Sequence, residues 1–215
     1  HEDLLAKHEA LRFVRVTLPT WSIAFGMSLG LLFIFVWVHN HAQRPWGYFG
    51  AASVVWSLAS LNLTLNHVPL PDVWWETCVQ LFNFLGLWLM IVFGFSLTGV
   101  LTHRFAKWLF AHAAATCTYL VATTNLSAHW KSPLVMAPLL VLGIWALVSI
   151  ARWIRRNAVS AGLVFPAVAT VTFMAALHDW AIQAGVVSVE QPFFLPLVSP
   201  FLLGTIAWLL AADYA

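Results

Sequence analysis

Charged side chains are scarce in this sequence. Asp, Glu, Lys and Arg make up 8% of the 215 residues, whereas soluble domains carry about 25%. The hydrophobic share is 61% and the mean hydropathy is +0.85. A water-soluble fold cannot bury so much apolar surface, so the composition excludes a soluble globular protein and indicates an integral membrane protein in a lipid bilayer. The formal net charge of +2 is too small to predict nucleic acid as a partner.

Cysteine and lysine are also rare, and each shortage limits the chemistry. Cys78 and Cys117 fall in apolar segments at different expected depths, so we predict neither a disulfide nor a redox role. No lysine lies in the last apolar run, which disfavours a retinal protein. No HxxxH or HExxH spacing, Ser-His-Asp order or Gly-rich phosphate loop is present. The sequence therefore identifies no catalytic residues and leaves both cofactor and metal unknown.

Long apolar runs dominate what is present. Each run is long enough to cross a bilayer as a helix, which takes about 20 residues, and none alternates as the strands of a membrane barrel do. We therefore predict an all-α, polytopic membrane protein with a seven-transmembrane helix bundle. The runs are Trp21–Val38, Trp46–Asn66, Trp74–Leu101, Phe105–Thr124, Ser132–Ile150, Val159–Ala184 and Phe193–Ala212.

Basic residues in the connections predict the orientation, because Lys and Arg are enriched in short cytoplasmic loops. The second, fourth and sixth connections contain only Lys131. We therefore expect the N-terminus outside and the C-terminus in the cytoplasm, although the basic residues of the N-terminal stretch argue mildly against it. The basic residues of the first, third and fifth connections are Arg44, Arg104, Lys107, Arg152, Arg155 and Arg156.

The ends of the chain suggest that it is a piece of a longer protein. It begins with His1 and stops at AADYA, where the seventh run reaches the predicted cytoplasmic side. Residues 1–20 are polar and mixed in charge, and we interpret them as an extracytoplasmic lead-in or the tail of an upstream domain. Residues 21–215 form the membrane domain.

Two ionisable residues lie inside the sixth run, where His178 and Asp179 are adjacent. A carboxylate within a span costs roughly 2.5–3.5 kcal/mol on insertion scales, so such residues face the bundle interior and have partners. We predict that this pair is the centre of the functional site. The alternative is an internal lock, with Asp179 held by Asn83 or by a Trp N–H.

Further polar residues lie in the predicted outer halves of the second and third runs. Glu76, Gln80 and Asn83 follow an i, i+4, i+7 spacing that places them on one helix face, and Asn62 lies near the end of the second run. We predict that they line a pocket that opens to the outside. Amides in spans also bond neighbouring helices without further function, and this alternative applies most to Asn62 and Gln80. Small residues at Ser53, Ser57, Ser60 and Thr64 indicate close helix packing.

The chain resembles the membrane sensor domain of bacterial seven-transmembrane receptors with diverse intracellular signalling modules, in the versions that precede sensor histidine kinases. The similarity is carried by HDW at His178–Trp180, by PFFLPLVSP at the start of the seventh run and by WGYFGAASVVWSLASLNLTL in the second. It implies a bacterial inner (plasma) membrane location. It also implies an extracytoplasmic domain before the first span and a kinase or other output module after the seventh, possessed by the full-length protein and not by this chain.

Three functions follow as hypotheses. The first is a receptor module that binds a small ligand or ion from the extracytoplasmic side and signals through the seventh helix, acting as a homodimer by analogy with kinase-coupled receptors. The second is an intramembrane metal-dependent hydrolase, which would need about three protein ligands on zinc. The third is a small-solute transporter, which would place polar residues along both halves of a pathway.

Overall fold

The computed structural model describes residues 13–65, 67, 69–126, 128–157, 164–183 and 194–214. Over these residues the chain forms seven α-helices and no β-strand, which confirms the predicted all-α class. A π-helical turn, Phe13–Thr17, precedes the first helix, and a 3-10 turn, Leu61–Leu63, follows the second. The helices are α1 (Leu18–His39), α2 (Arg44–Ser60), α3 (Asp72–Leu97), α4 (His103–Ala122), α5 (Ala128–Asn157), α6 (Val164–Gln183) and α7 (Leu195–Tyr214).

Three helices are long and apolar enough to cross a membrane: α1, α3 and the part of α5 from Leu134 to Arg156. Helices α6 and α7 contain shorter apolar segments, Ala167–Ile182 and Leu197–Leu210. Many large apolar side chains are exposed, among them Trp21 at 74%. Such exposure is unfavourable in water and favourable against lipid, so the structure agrees with membrane association.

The boundary between α3 and α4 follows from local chemistry. The apolar run continues to Leu101, but α3 ends at Leu97. Gly99, two residues later, has a φ of 73°, the left-handed conformation that commonly terminates helices. Thr102 then begins α4, because its hydroxyl accepts a hydrogen bond from the backbone N–H of Phe105 and so satisfies one donor of the first turn.

Helices α2 and α5 differ in length from the predicted spans. The second span was predicted to reach Asn66, which lies outside the described residues, whereas α2 ends at Ser60. The fifth span was predicted to end at Ile150, and the following arginines to lie in a loop. Helix α5 instead continues to Asn157, because arginine is a good helix former and a cation interacts favourably with a helix C-terminus.

Helices α1 and α2 are in close contact through small residues. A Cβ atom added at Gly30 would lie 2.8 Å from the carbonyl oxygen of Gly50, and one added at Gly26 would lie 2.6 Å from Ser57 Oγ. Ser53 and Ser57 are fully buried, and each hydroxyl donates to the carbonyl four residues earlier in α2. The packing role predicted for the serine stripe of α2 is therefore confirmed for these two residues.

Two apolar clusters organise the interior. One joins α1, α2, α3, α5, α6 and α7 around Phe49 and Ile206, and the other joins α3, α4 and α5 around Phe84 and Leu109. Helix α7 packs mainly against α6 and α1, and α5 lies between α3 and α6. This arrangement brings the start of the last helix against the carboxyl-terminal part of α6, where the predicted polar pair lies.

Candidate functional site

Asp179 lies near the end of α6, and its carboxylate binds the first turn of α7. Oδ1 accepts a hydrogen bond from the backbone N–H of Phe194 and Oδ2 accepts one from the backbone N–H of Leu195, each at 2.8 Å. The residue is 4% exposed. The first N–H groups of a helix lack partners within the helix, and a carboxylate at a helix N-terminus is also favoured by the helix dipole. We call this arrangement the Asp179 clamp.

His178 covers the clamp from its more accessible side. Its Nδ1 atom lies 3.1 Å from Asp179 Oδ1, and its ring packs on Phe194 with a centroid distance of 4.7 Å. An ionised carboxylate only accepts hydrogen bonds, so Nδ1 is assigned as the donor. The His178 side chain is 28% exposed and that of Asp179 only 6%. Of the pair, the imidazole is therefore the group that a ligand could reach.

The clamp agrees with the internal-lock alternative in kind but with different partners. The sequence suggested Asn83 or a Trp N–H as the group that holds Asp179, whereas the printed bonds come from backbone N–H groups of α7. Both carboxylate oxygens already accept a strong hydrogen bond. Direct contact between Asp179 and a ligand therefore stays a prediction, while the structural role of the carboxylate is evident.

The polar residues of α2 and α3 form separate pairs. Gln80 donates to Glu76 Oε1 at 2.9 Å, which confirms that the two share a helix face. Asn62 Oδ1 accepts a hydrogen bond from Trp75 Nε1 at 2.6 Å, so Asn62 joins the end of α2 to the start of α3. Among the described residues, no hydrogen bond connects either pair, or Asn83, to His178 and Asp179. The prediction that they share one ligand path with the clamp remains a prediction.

One polar group inside α4 was missed by the sequence argument. His112 lies within the fourth apolar run, its ring stacks on Trp108 at 5.8 Å, and its Nδ1 atom is buried without a hydrogen-bond partner in the described structure. Trp88 Nε1 on α3 is also buried and unpaired there. The signal was available, because an ionisable residue inside a membrane span is by default a functional hypothesis.

An apolar cavity of about 190 Å³ lies between α2, α3, α5, α6 and α7. Trp180 from α6 and Leu195 from α7 line it, although His178 and Asp179 do not. Each lining residue is thus a chain neighbour or a hydrogen-bond partner of Asp179. Within the described residues no group of three or more His, Cys, Asp or Glu side chains is arranged to hold a metal ion.

Comparisons with protein-family models, with curated proteins and with solved structures found no match for this chain.

Proposed function

We propose that this chain is the membrane-sensing part of a bacterial signalling receptor. In this proposal all seven helices cross the inner membrane, with the N-terminus outside and the C-terminus in the cytoplasm. A small ligand or ion from the extracytoplasmic side binds near His178 and Asp179, and α7 passes the signal to a cytoplasmic output such as a histidine kinase. The observation that carries the proposal is the Asp179 clamp, which makes the start of the last helix depend on side chains near the predicted outer surface.

A ligand can change the position of α7 only by binding two arrangements of the clamp with different affinity. His178 offers such a difference, because its Nδ1 atom and the N–H of Phe194 both contact Asp179 Oδ1. A ligand that takes the imidazole away from Oδ1 changes the hydrogen bonding of one of the two oxygens that hold α7. The effect is transmitted along a rigid helix toward the predicted cytoplasmic side.

The α3 residues have a secondary place in this proposal. Glu76 is exposed, and Asn83 is partly exposed with no side-chain hydrogen bond to any described residue, so both are open to a ligand on the approach to the clamp. Asn62 and Gln80 use their polar atoms in the pairs described above. We therefore expect changes at Glu76 and Asn83 to affect ligand binding more than changes at Asn62 and Gln80.

The proposal is tested by measuring where α7 lies. Spin labels at Val38 on α1 and Trp208 on α7, both exposed, report the distance between the predicted cytoplasmic ends of the two helices. The chain is placed in lipid nanodiscs with Cys78 and Cys117 replaced by serine. Asp179→Asn is expected to broaden or shift the distance distribution, because the amide has one acceptor oxygen in place of two. An unchanged distribution would show that the clamp does not position α7.

The ligand is sought in parallel with a panel of amino acids, sugars, organic acids and Zn²⁺. A binding compound is expected to raise the unfolding temperature of the wild-type chain and to lose that effect with His178→Ala. A compound that stabilises His178→Ala as strongly as wild type binds elsewhere, and would remove His178 from the site.

A further inference from the structure

The cavity between α2, α3, α5, α6 and α7 has almost no polar lining. No Asp, Glu, Lys, Arg or His side chain contributes to its wall. Its hydroxyl groups already have partners: Thr172 donates to the carbonyl of Val168 at 2.8 Å, and Ser199 Oγ lies 3.3 Å from Ser22 Oγ. A charged ligand would lose its hydration there without compensation, so the lining excludes ions and charged molecules.

The volume limits the size of an occupant. An apolar cavity of about 150 Å³ in another protein stays free of water and binds benzene or xenon. The present cavity, at about 190 Å³, is therefore large enough for one six-membered ring with a small substituent. Water is a poor occupant, because it needs two to four polar partners.

The wall combines rigid and adaptable parts. Met90 and Met136 lie on the α3 and α5 sides, and methionine side chains adapt to ligands of different shape. Gly143 on α5 leaves open space, since an added Cβ atom there would meet nothing within 4 Å. The cavity can therefore accept different small apolar molecules, and a larger residue at position 143 would fill it.

The cavity also reaches the Asp179 clamp from inside the bundle. Leu195 lines the cavity and its backbone N–H donates to Asp179 Oδ2. Trp180 lines it too and follows Asp179 directly in α6. An occupant thus touches both helices that the clamp joins.

We propose that this cavity is a binding site for small uncharged apolar molecules of about one-ring size, which reach it from the lipid phase. This is a second site, separate from the polar one near His178. Binding does not depend on the proposed receptor function; only its effect on α7 rests on that function.

The test uses the full chain in lipid nanodiscs with benzene as the probe and benzoate as its charged counterpart. The unfolding temperature is followed against probe concentration for wild type, Gly143→Leu and Gly204→Leu. Gly204 is the matched control, since it also lies within a helix with open space around it but does not line the cavity. Any effect of benzene on the bilayer is common to the three proteins.

Wild type and Gly204→Leu are expected to show a saturable benzene response, and Gly143→Leu to bind at least about tenfold more weakly because leucine occupies the space. Ala176→Leu, on the α6 wall, serves as a second filling variant if Gly143→Leu does not fold. A response that is the same in all variants, or saturable binding of benzoate equal to that of benzene, would overturn the proposal. Saturable binding without a change in the Val38–Trp208 distance would support the site and count against the receptor function.

Discussion

A carboxylate buried among apolar helices is stable only when its oxygens accept hydrogen bonds. Asp179 meets this requirement with the backbone N–H groups of Phe194 and Leu195, which would otherwise lie unpaired at the start of α7. One side chain therefore satisfies three buried polar groups at once, counting its own. This explains why an acid is tolerated in the most apolar part of α6.

Asp179→Asn is expected to lower the free energy of unfolding by about 1–2 kcal/mol, because N-cap losses fall in this range and the amide keeps one acceptor oxygen. His178→Ala is the control and is expected to cost less than about 1 kcal/mol, since its side chain is partly exposed and its single bond to Asp179 is longer. Reversible unfolding in mixed micelles measures both. Equal losses in the two variants would argue against the clamp.

The Asn62–Trp75 hydrogen bond offers a second test at this scale. Trp75→Phe and Asn62→Ala each remove it, and a double-mutant cycle is expected to give a coupling energy of about 0.5–1.5 kcal/mol. The bond joins α2 to α3 across the intervening loop, so both single variants should destabilise the same contact. Additive effects of the two changes would show that the bond contributes nothing in the membrane.

The sequence identified His178 and Asp179 because charge inside a span is costly, and it placed Glu76 and Gln80 on one helix face from their spacing. It did not identify the donors to Asp179. They are backbone groups fifteen and sixteen residues later, and a backbone N–H has no signature in a sequence. Only the folded chain shows that the start of α7 returns to the end of α6.

Among the helices, the contact between α1 and α2 depends most directly on residue size. Gly30→Ala is expected to destabilise the protein by roughly 1–3 kcal/mol, because the new Cβ atom would lie 2.8 Å from the Gly50 carbonyl oxygen. Gly143→Ala is the matched control on α5, where nothing lies within 4 Å. There the change should be neutral or stabilising by up to about 1 kcal/mol through helix propensity. Unfolding of both variants in micelles decides; equal stability would mean that the helices separate without cost.

Helix existence was predictable from the apolar runs, whereas helix ends were not always so. The end of α3 departs from its apolar run because Gly99 adopts a left-handed conformation. Helix α5 extends beyond its apolar run because Arg152, Arg155 and Arg156 continue the helix. Hydropathy alone predicts the part of a helix that prefers lipid, and backbone and helix-dipole chemistry determine where the helix ends.

At the scale of the whole molecule, two routes converge on the start of α7. The imidazole of His178 approaches the Asp179 clamp from its accessible side, and the apolar cavity approaches it through Leu195 and Trp180. Helix α7 also packs against α1, so a shift of α7 would be felt at the neighbouring helix. This convergence is what makes the last helix a suitable output for either input.

The seven-span arrangement predicts which loops face each side of the membrane. Single cysteines at Leu70 and Leu126, in a background with Cys78 and Cys117 replaced by serine, are expected to react with an impermeant thiol reagent on intact spheroplasts. Cysteines at Ala42 and Thr102 are expected to react only after lysis. All four positions are exposed, so reactivity reports sidedness rather than burial.

Each deviation from this pattern has a distinct physical meaning. A complete reversal would invert the orientation and place the Asp179 clamp near the cytoplasm, because the distribution of arginine would then not have determined insertion. Reaction of Ala42 and Leu70 from the same side would show that α2 does not cross the membrane, and the same result for Thr102 and Leu126 would exclude α4. Since α2 and α4 are not among the helices long and apolar enough to span by themselves, they would have to be held at membrane depth by packing against α1 and α3, and the labelling pattern decides whether that packing is sufficient.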